Sequence, residues 1–309
     1  MLIAQLSDPH VTTGPLAADP ASGLHRALGT VLALRPRPDC VVITGDLTAN
    51  GRPDEYLALR EIVGAFPLPV HLVTGNHDDR ESLLDTFGGT PCLAGGFSAH
   101  YHVDLPDATL VVLDSLTPGS PGGRLGDEQL AWLDGVLAGR TDAPAVVCLH
   151  HPPVAVGVPG MDAMGLADAE ALAAVVGRHP HVVRVAAGHL HRQVTSAFAG
   201  TVLTTAPSLD PGEPDHDRRG GAGVRRRADR LPAAPHRRRW LCDAHRPGQP
   251  RRRAHLLVLS RRCSGTSRTA RICTPPGSTG ICGAGAHRAG CARTPGAGTA
   301  GHRAGRFRC

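Results

Sequence analysis

Val41-Val42-Ile43-Thr44-Gly45-Asp46 is the stretch on which the reading of this chain turns. Four apolar or β-branched residues run without helical period into a glycine and a carboxylate. Such a run suits a short strand buried on both faces. Gly45 lets the backbone turn sharply, which stands Asp46 at the strand's carboxyl end, where layered α/β folds place their ligands.

Four other segments close in the same way. Leu2–Leu6 leads into Ser7-Asp8-Pro9-His10, and Val70–Thr74 into Gly75-Asn76-His77-Asp78. Ala145–Leu149 leads into His150-His151-Pro152-Pro153, and Val182–Ala186 reaches Gly188-His189-Leu190-His191. A lone Asp-x-His is an ordinary turn, and His-x-His puts two rings on one face of a strand by chance as well as by design. Five such ends in order, each after an apolar run, form a pattern that chance does not account for.

Between the runs, apolar residues recur at helical spacing: Leu24, Ala27, Leu28 and Val31; Tyr56, Leu59, Ile62 and Val63; Leu130, Leu133, Val136 and Leu137; and a stretch over Ala167–Val176. Pro53-Asp54-Glu55 and Gly126-Asp127-Glu128 place proline or acids in a first turn, where the helix dipole favours them. A short helix is expected over Asp79–Phe87. Ala99–Leu105 and Thr109–Leu113 read as neighbouring strands joined at Pro106-Asp107. Alternating strands and helices followed by a strand-rich part indicate a layered α/β domain.

The grammar stops near Ser208. Residues 1–217 carry 25 acidic and 11 basic residues, a net charge of −14, whereas residues 218–309 carry 2 acidic and 22 basic ones, a net of +20. All 33 basic residues are arginine. The expected organisation is therefore a layered α/β domain over 1–208 and an Arg/Gly/Pro-rich tail over 209–309. Apart from Leu256-Leu257-Val258-Leu259, that tail has too little apolar periodicity to offset its ordering entropy, so disorder is expected there.

The tail would bind polyanions through counterion release. With one Trp, one Phe and no Tyr, it offers few stacking platforms, so no specific nucleic-acid partner is expected. No segment approaches the roughly 18 apolar residues of a membrane span. Met1–Leu6 lacks the basic start and long apolar core of a leader, so the expected setting is cytoplasmic and without a membrane. Cys40 and Cys148 read as buried thiols, and the tail cysteines show no repeated metal-site spacing.

The donor types explain the five strand ends. Carboxylates, imidazoles and the Asn76 amide oxygen, with no thiolate, suit borderline divalent ions such as manganese, iron or zinc. Seven such donors exceed the needs of one ion and fit two that share a carboxylate. Two such ions clamp a phosphoryl group and make hydroxide available at neutral pH.

On these motifs, residues 1–208 resemble the calcineurin-like metallophosphoesterases, and within them the class III cyclic nucleotide phosphodiesterases of bacteria. The resemblance implies a four-layer α/β/β/α sandwich. It implies two divalent ions: Asp8, His10 and His191 on one, Asn76, His150 and His189 on the other, with Asp46 bridging. His77 resembles the family histidine that contacts the phosphate, beside Asn76, and protonates the leaving oxygen. His150 aligns with the family ligand better than its neighbour His151 does.

The implied partner is a small phosphodiester, a 3′,5′-cyclic nucleotide of the cyclic AMP type, with glycerophosphodiesters as the alternative. A homodimeric assembly stays open. Related chains continue with strands containing EPTGF, which this chain lacks. Back-translating Gly223–His236 one nucleotide later permits GYVAEPTGFLLH, and Trp240–Pro250 permits GFVTHTVPVSH. The tail is therefore read as the shifted frame of a normal C-terminus, entered between about Ser208 and Gly223, so that the domain's last strands are expected to be lost.

Overall fold

The computed structural model describes residues 1–15, 17–210 and 257–260. The stretch around Ile43 is β2 (Cys40–Thr44), all five residues buried, and it runs parallel to β1 (Leu2–Leu6) on one side and β3 (Val70–Val73) on the other. A strand flanked on both edges and covered on both faces needs no polar residue, which is why Cys40–Ile43 reads as one apolar run.

A fourth strand, β10 (Leu257–Ser260), lies antiparallel along β1 with Gln5 opposite Leu257 and Leu2 opposite Ser260, giving the sheet order β10-β1-β2-β3. It falls on the one apolar patch of the tail. The shifted-frame reading and the expected disorder otherwise lie outside the described residues.

The second sheet has six strands in the order β4-β5-β6-β7-β9-β8. The β4–β5 hairpin (Tyr101–Leu105 and Ala108–Val112) turns at Pro106-Asp107, as the sequence suggests. β5 runs parallel to β6 (Ala145–Cys148), β6 to β7 (Val182–Ala187), and β7 to β9 (Thr201–Thr205). The edge strand β8 (Thr195–Phe198) is antiparallel to β9.

Side chains of the second sheet alternate between two cores. Leu110, Val112, Val146, Cys148 and Ala186 join the core of the first sheet, and Val111, Val147, Leu149, Val185 and Ala187 join a separate outer core. Helices α1 (Ala18–Ala33), α2 (Pro53–Gly64) and α3 (Arg80–Phe87) cover the first sheet through Leu24, Leu28, Tyr56, Leu59, Leu83 and Phe87. On the outer face of the second sheet lie α4 (Asp127–Gly139) and α6 (Ala169–Gly177), with Leu130, Leu133, Leu137, Leu172, Val175 and Val176. The three α4 leucines alone bring about 5–9 kcal/mol of burial. The layers are thus α/β/β/α, as expected.

A four-residue helix, α5 (Pro159–Asp162), interrupts the loop after β6. It is too short to leave a periodic trace and was not legible in the sequence. Where the sheets meet, the buried Gln5 amide donates to Ala187 O (2.8 Å) and Thr44 Oγ1 (3.2 Å) and accepts from Thr204 Oγ1 (3.5 Å), so this polar group in the core is paired. No helix among the described residues is long and apolar enough to cross a membrane.

Candidate metal centre

The carboxyl ends of β1, β2, β3, β6 and β7 meet at one pole of the sandwich, and every expected site residue lies there. Among the described residues, seven that are not glycine take a positive φ. Five of them are Asp8 (49°), His10 (44°), Asp46 (47°), His189 (70°) and His191 (52°). Left-handed backbone costs an L-residue about 1–2 kcal/mol, and its concentration on the acids and imidazoles marks a functional site. Two glycines let these loops touch. A Cβ at Gly45 would collide with the His150 ring, and one at Gly188 with the Thr44 carbonyl.

Two groups of donors result. Asp8, His10, Asp46 and His191 bring their donor atoms within 4.8 Å of one another. His10 Nε2 faces His191 Nε2 at 3.2 Å and Asp46 Oδ2 at 3.7 Å, and Asp8 Oδ1 lies 3.5 Å from His191 Nε2. The second group gathers on the Asn76 side chain, whose Oδ1 is 3.1 Å from His150 Nε2 and 3.0 Å from His189 Nδ1. Asp46 spans the two: its other oxygen, Oδ1, lies 3.4 Å from His150 Nε2.

The arrangement calls for cations. His150 Nδ1 sits 2.9 Å from Thr44 O, so it must carry the proton it donates. Nε2 faces the Asn76 amide oxygen and an Asp46 carboxylate oxygen, an acceptor-lined position that a second proton fills in the free protein and an ion would take. Lone pairs that converge in this way are stabilised by a positive charge between them. Two further polar atoms, Asp8 Oδ2 and His189 Nε2, are buried without a hydrogen-bond partner among the described residues. Such orphans are costly unless an ion completes them. No thiol among the described residues takes part, and this donor set fits divalent ions of the borderline class.

The electrostatics agree. Burial opposes charge on Asp46, yet His150 and His10 beside it hold its carboxyl well below the usual range. Burial also opposes charge on Asp8, which His191 and His150 nonetheless keep lowered. Against its own burial, His150 is raised to about 9 by Asp46 and then Asp8. Burial keeps His10 and His189 neutral, with His189 pushed down to about 4. Ionised carboxylates and the neutral His10 and His189 are the forms that bind metal, whereas His150, cationic at neutral pH without an ion, must release its Nε2 proton when one binds.

His77 stands apart from both groups. Its main-chain N–H donates to Asp46 Oδ1 (3.0 Å), while its exposed ring meets His10 edge to face at 4.8 Å. Nδ1 lies 2.9 Å from Ala49 O and so carries a proton, which leaves Nε2 for other work.

His151 also shares nitrogen atoms within 4.8 Å of those of His150 and His189. Both its nitrogens are engaged, however: Nδ1 with Ser115 Oγ at 2.8 Å and Nε2 with Pro121 O at 3.2 Å. Burial first, then the neighbouring His150 and His189, push it down to about 2.

Sequence reasoning named Asp78 as part of a motif without giving it work. The buried carboxylate accepts from Leu47 N (3.0 Å), Thr48 N (3.0 Å), Thr48 Oγ1 (3.1 Å), Gly75 N (2.8 Å) and Tyr56 Oη (3.0 Å). It thereby clamps the Asp46 loop to the Asn76–His77 loop. Its place directly after Gly75-Asn76-His77 was the available signal. Asp114 was missed altogether: it accepts from Thr74 Oγ1 (2.6 Å) and from Arg80, bracing the end of β3 and the start of α3 against the loop after β5.

A profile of the calcineurin-like phosphoesterase family matches residues 1–193. A glycerophosphodiester phosphodiesterase of Enterobacter lignolyticus is 32% identical over 219 residues, 67% of this chain and 77% of that protein. A probable cyclic nucleotide phosphodiesterase of Synechococcus is 36% identical, with 66% and 77% covered. The 3′,5′-cyclic adenosine monophosphate phosphodiesterase of Pseudomonas aeruginosa is 30% identical, with 67% and 76% covered. Among solved structures, a dimetal phosphatase from Danio rerio aligns over 68% of this chain and 88% of its own, with a TM-score of 0.53 and 20% identity, a likeness of fold.

Proposed function

This chain belongs to the calcineurin-like phosphoesterase family, and from that premise we propose that it is a two-metal phosphodiesterase acting on a 3′,5′-cyclic nucleotide. The observation that carries the reading is Asp46, which turns one oxygen toward His150 and the other toward His10 and so joins two donor groups that face each other.

Asp8, His10 and His191 would hold one ion, Asn76, His150 and His189 the other, and Asp46 both. The saturated contacts of His151 support His150 as the ligand of that pair. When bound, two divalent ions supply hydroxide at neutral pH and draw charge from the phosphoryl oxygens.

The rest of the chemistry falls to the chain. Asp78 fixes the two loops that carry Asp46, Asn76 and His77, so the donors are positioned before substrate arrives. The Asn76 side chain, half-buried, would contact the phosphoryl group as well. His77 keeps Nδ1–H on Ala49 O, and as the doubly protonated imidazolium it gives its Nε2 proton to the departing oxygen and becomes the neutral imidazole.

The cyclic-nucleotide reading rests on the wording of the GNHDD, HHPP and GHLH motifs and on two relatives named for cyclic nucleotides. A relative named for glycerophosphodiesters supports the second reading, a glycerophosphodiesterase. Turnover of cyclic AMP and of glycerophosphoethanolamine with Mn²⁺ decides between them. A higher kcat/KM for cyclic AMP is expected; a higher value for the glycerol diester would replace the first reading with the second.

A further inference from the structure

A cavity of about 460 Å³ opens between the loop that follows β5 and the loop that follows β6. Both loops leave the same end of the second sheet as the candidate metal centre. The cavity begins where the donors stop: Pro152 lines it, two residues after His150, so its wall starts within about 8 Å of the His150 Cα. His151 is the partition. Its ring centroid lies 4.8 Å from those of His150 and His189 on one side, and on the other side Gly123 of the cavity wall packs so closely that a Cβ there would strike the imidazole.

The walls are built rather than loose. Gly123 N donates to Gly165 O (3.1 Å), Ala167 N to Gly123 O (2.8 Å) and Leu166 N to Pro152 O (3.3 Å). These bonds stitch the two loops into one rim. Pro152, Pro153, Ala163 and Leu166 give that rim apolar surface, while Thr117, Ser120 and Arg124 add polar groups, and the one acid, Asp162, is taken up by the N–H groups of Val156 and Gly157. The Arg124 guanidinium is exposed and makes no hydrogen bond or ion pair among the described residues. The size falls in the range of small-molecule sites, which are typically apolar with a few convergent polar groups.

We propose that this cavity receives the nucleoside arm of the diester, its base against the proline and leucine surface and its edge read by Arg124. A planar guanidinium stacks on or hydrogen-bonds to a base, and rigid apolar walls suit a flat ring. A glycerol arm, polar at every carbon, would gain little from these walls. The second large cavity, beside α3, carries Asp78, Asp79, Glu81 and Asp85 against a single cation, Arg80, which is paired with Asp114, and that excess of negative charge disfavours an anionic diester. The proposal deepens the cyclic-nucleotide reading and rests on it for the identity of the arm.

Adenosine, which carries no phosphate, probes the cavity without any need for turnover. With the full chain, saturation-transfer NMR should show adenosine bound at millimolar concentration. Ala163→Phe, which fills the cavity from an exposed position, should abolish the signal, and Arg124→Gln should weaken it. An absent signal in the wild type, or equal signals in all three proteins, overturns the proposal. In parallel, Ala163→Phe should lower kcat/KM for cyclic AMP at least about tenfold relative to methyl p-nitrophenyl phosphate; a proportional loss on both substrates contradicts it. A wild type that binds adenosine but cleaves neither diester would sink the phosphodiesterase reading and leave the cavity standing.

Discussion

The carbonyl oxygen of Thr44, at the end of β2, lies 2.9 Å from Nδ1 of His150, which follows β6 in the other sheet. One main-chain acceptor thus holds the Nδ1 proton of a buried imidazole across the interface between the sheets and turns its Nε2 toward Asn76 and Asp46. His151, one residue on, is held by Ser115 and Pro121 and turns no lone pair to the site.

These adjacent histidines should therefore behave differently. His150→Gln is expected to weaken one of two bound ions by more than the roughly 10–100-fold that loss of a supporting contact costs. His151→Gln should keep both ions. Titration of the metal-free variants with Mn²⁺ reads the difference, and a larger loss in the His151 variant would reverse the assignment.

His77→Ala should retain both ions and lose roughly 10²–10⁴-fold in kcat, the usual scale of a general acid. A substrate with a good leaving group, such as p-nitrophenolate, needs less help from a proton and should lose less. Metal analysis alongside turnover of activated and unactivated diesters checks both points.

Asp78→Ala leaves the N–H groups of Leu47, Thr48 and Gly75 without their shared acceptor. Urea unfolding should register a loss of roughly 3–5 kcal/mol, because several buried donors go unpaired at once. A loss under about 1 kcal/mol would show that the clamp between the two loops is not structural.

His71 in β3 predicts a pH dependence away from the site. It is buried, neither ring nitrogen has a partner among the described residues, and burial pushes it down to about 4. In the unfolded chain it would take up a proton near pH 6.5, and in the folded chain it resists until about 4. Its contribution is therefore neutral above pH 6.5, and stability is lost as pH falls from 6.5 towards 4, by about 2–3 kcal/mol in all. His71→Leu should flatten that part of the stability curve. An unchanged slope would place the acid sensitivity elsewhere.

The sequence carried the strands and the donors because both are local. A buried strand announces itself as an apolar run, and Asp8, Asp46, Asn76 and His189 stand at fixed places after such runs. What stayed hidden is set by packing between distant segments. Asp78, Ser115 and Asp114 look like ordinary loop residues until β2, β3 and β5 bring them together, and nothing local separates His150 from His151. The four residues of α5 leave no period to detect. The edge strand β10 follows a patch whose partner, β1, lies some 250 residues earlier.

The central claim is that Asp46 serves two ions at once, and Asp46→Asn tests it most directly. Metal-free wild type should take up two Mn²⁺ per chain and then cleave cyclic AMP. With a neutral amide in place of the shared carboxylate, the second ion should be held far more weakly and turnover should nearly vanish, while the protein still folds. Two tightly bound ions and unchanged turnover in Asp46→Asn would contradict the account.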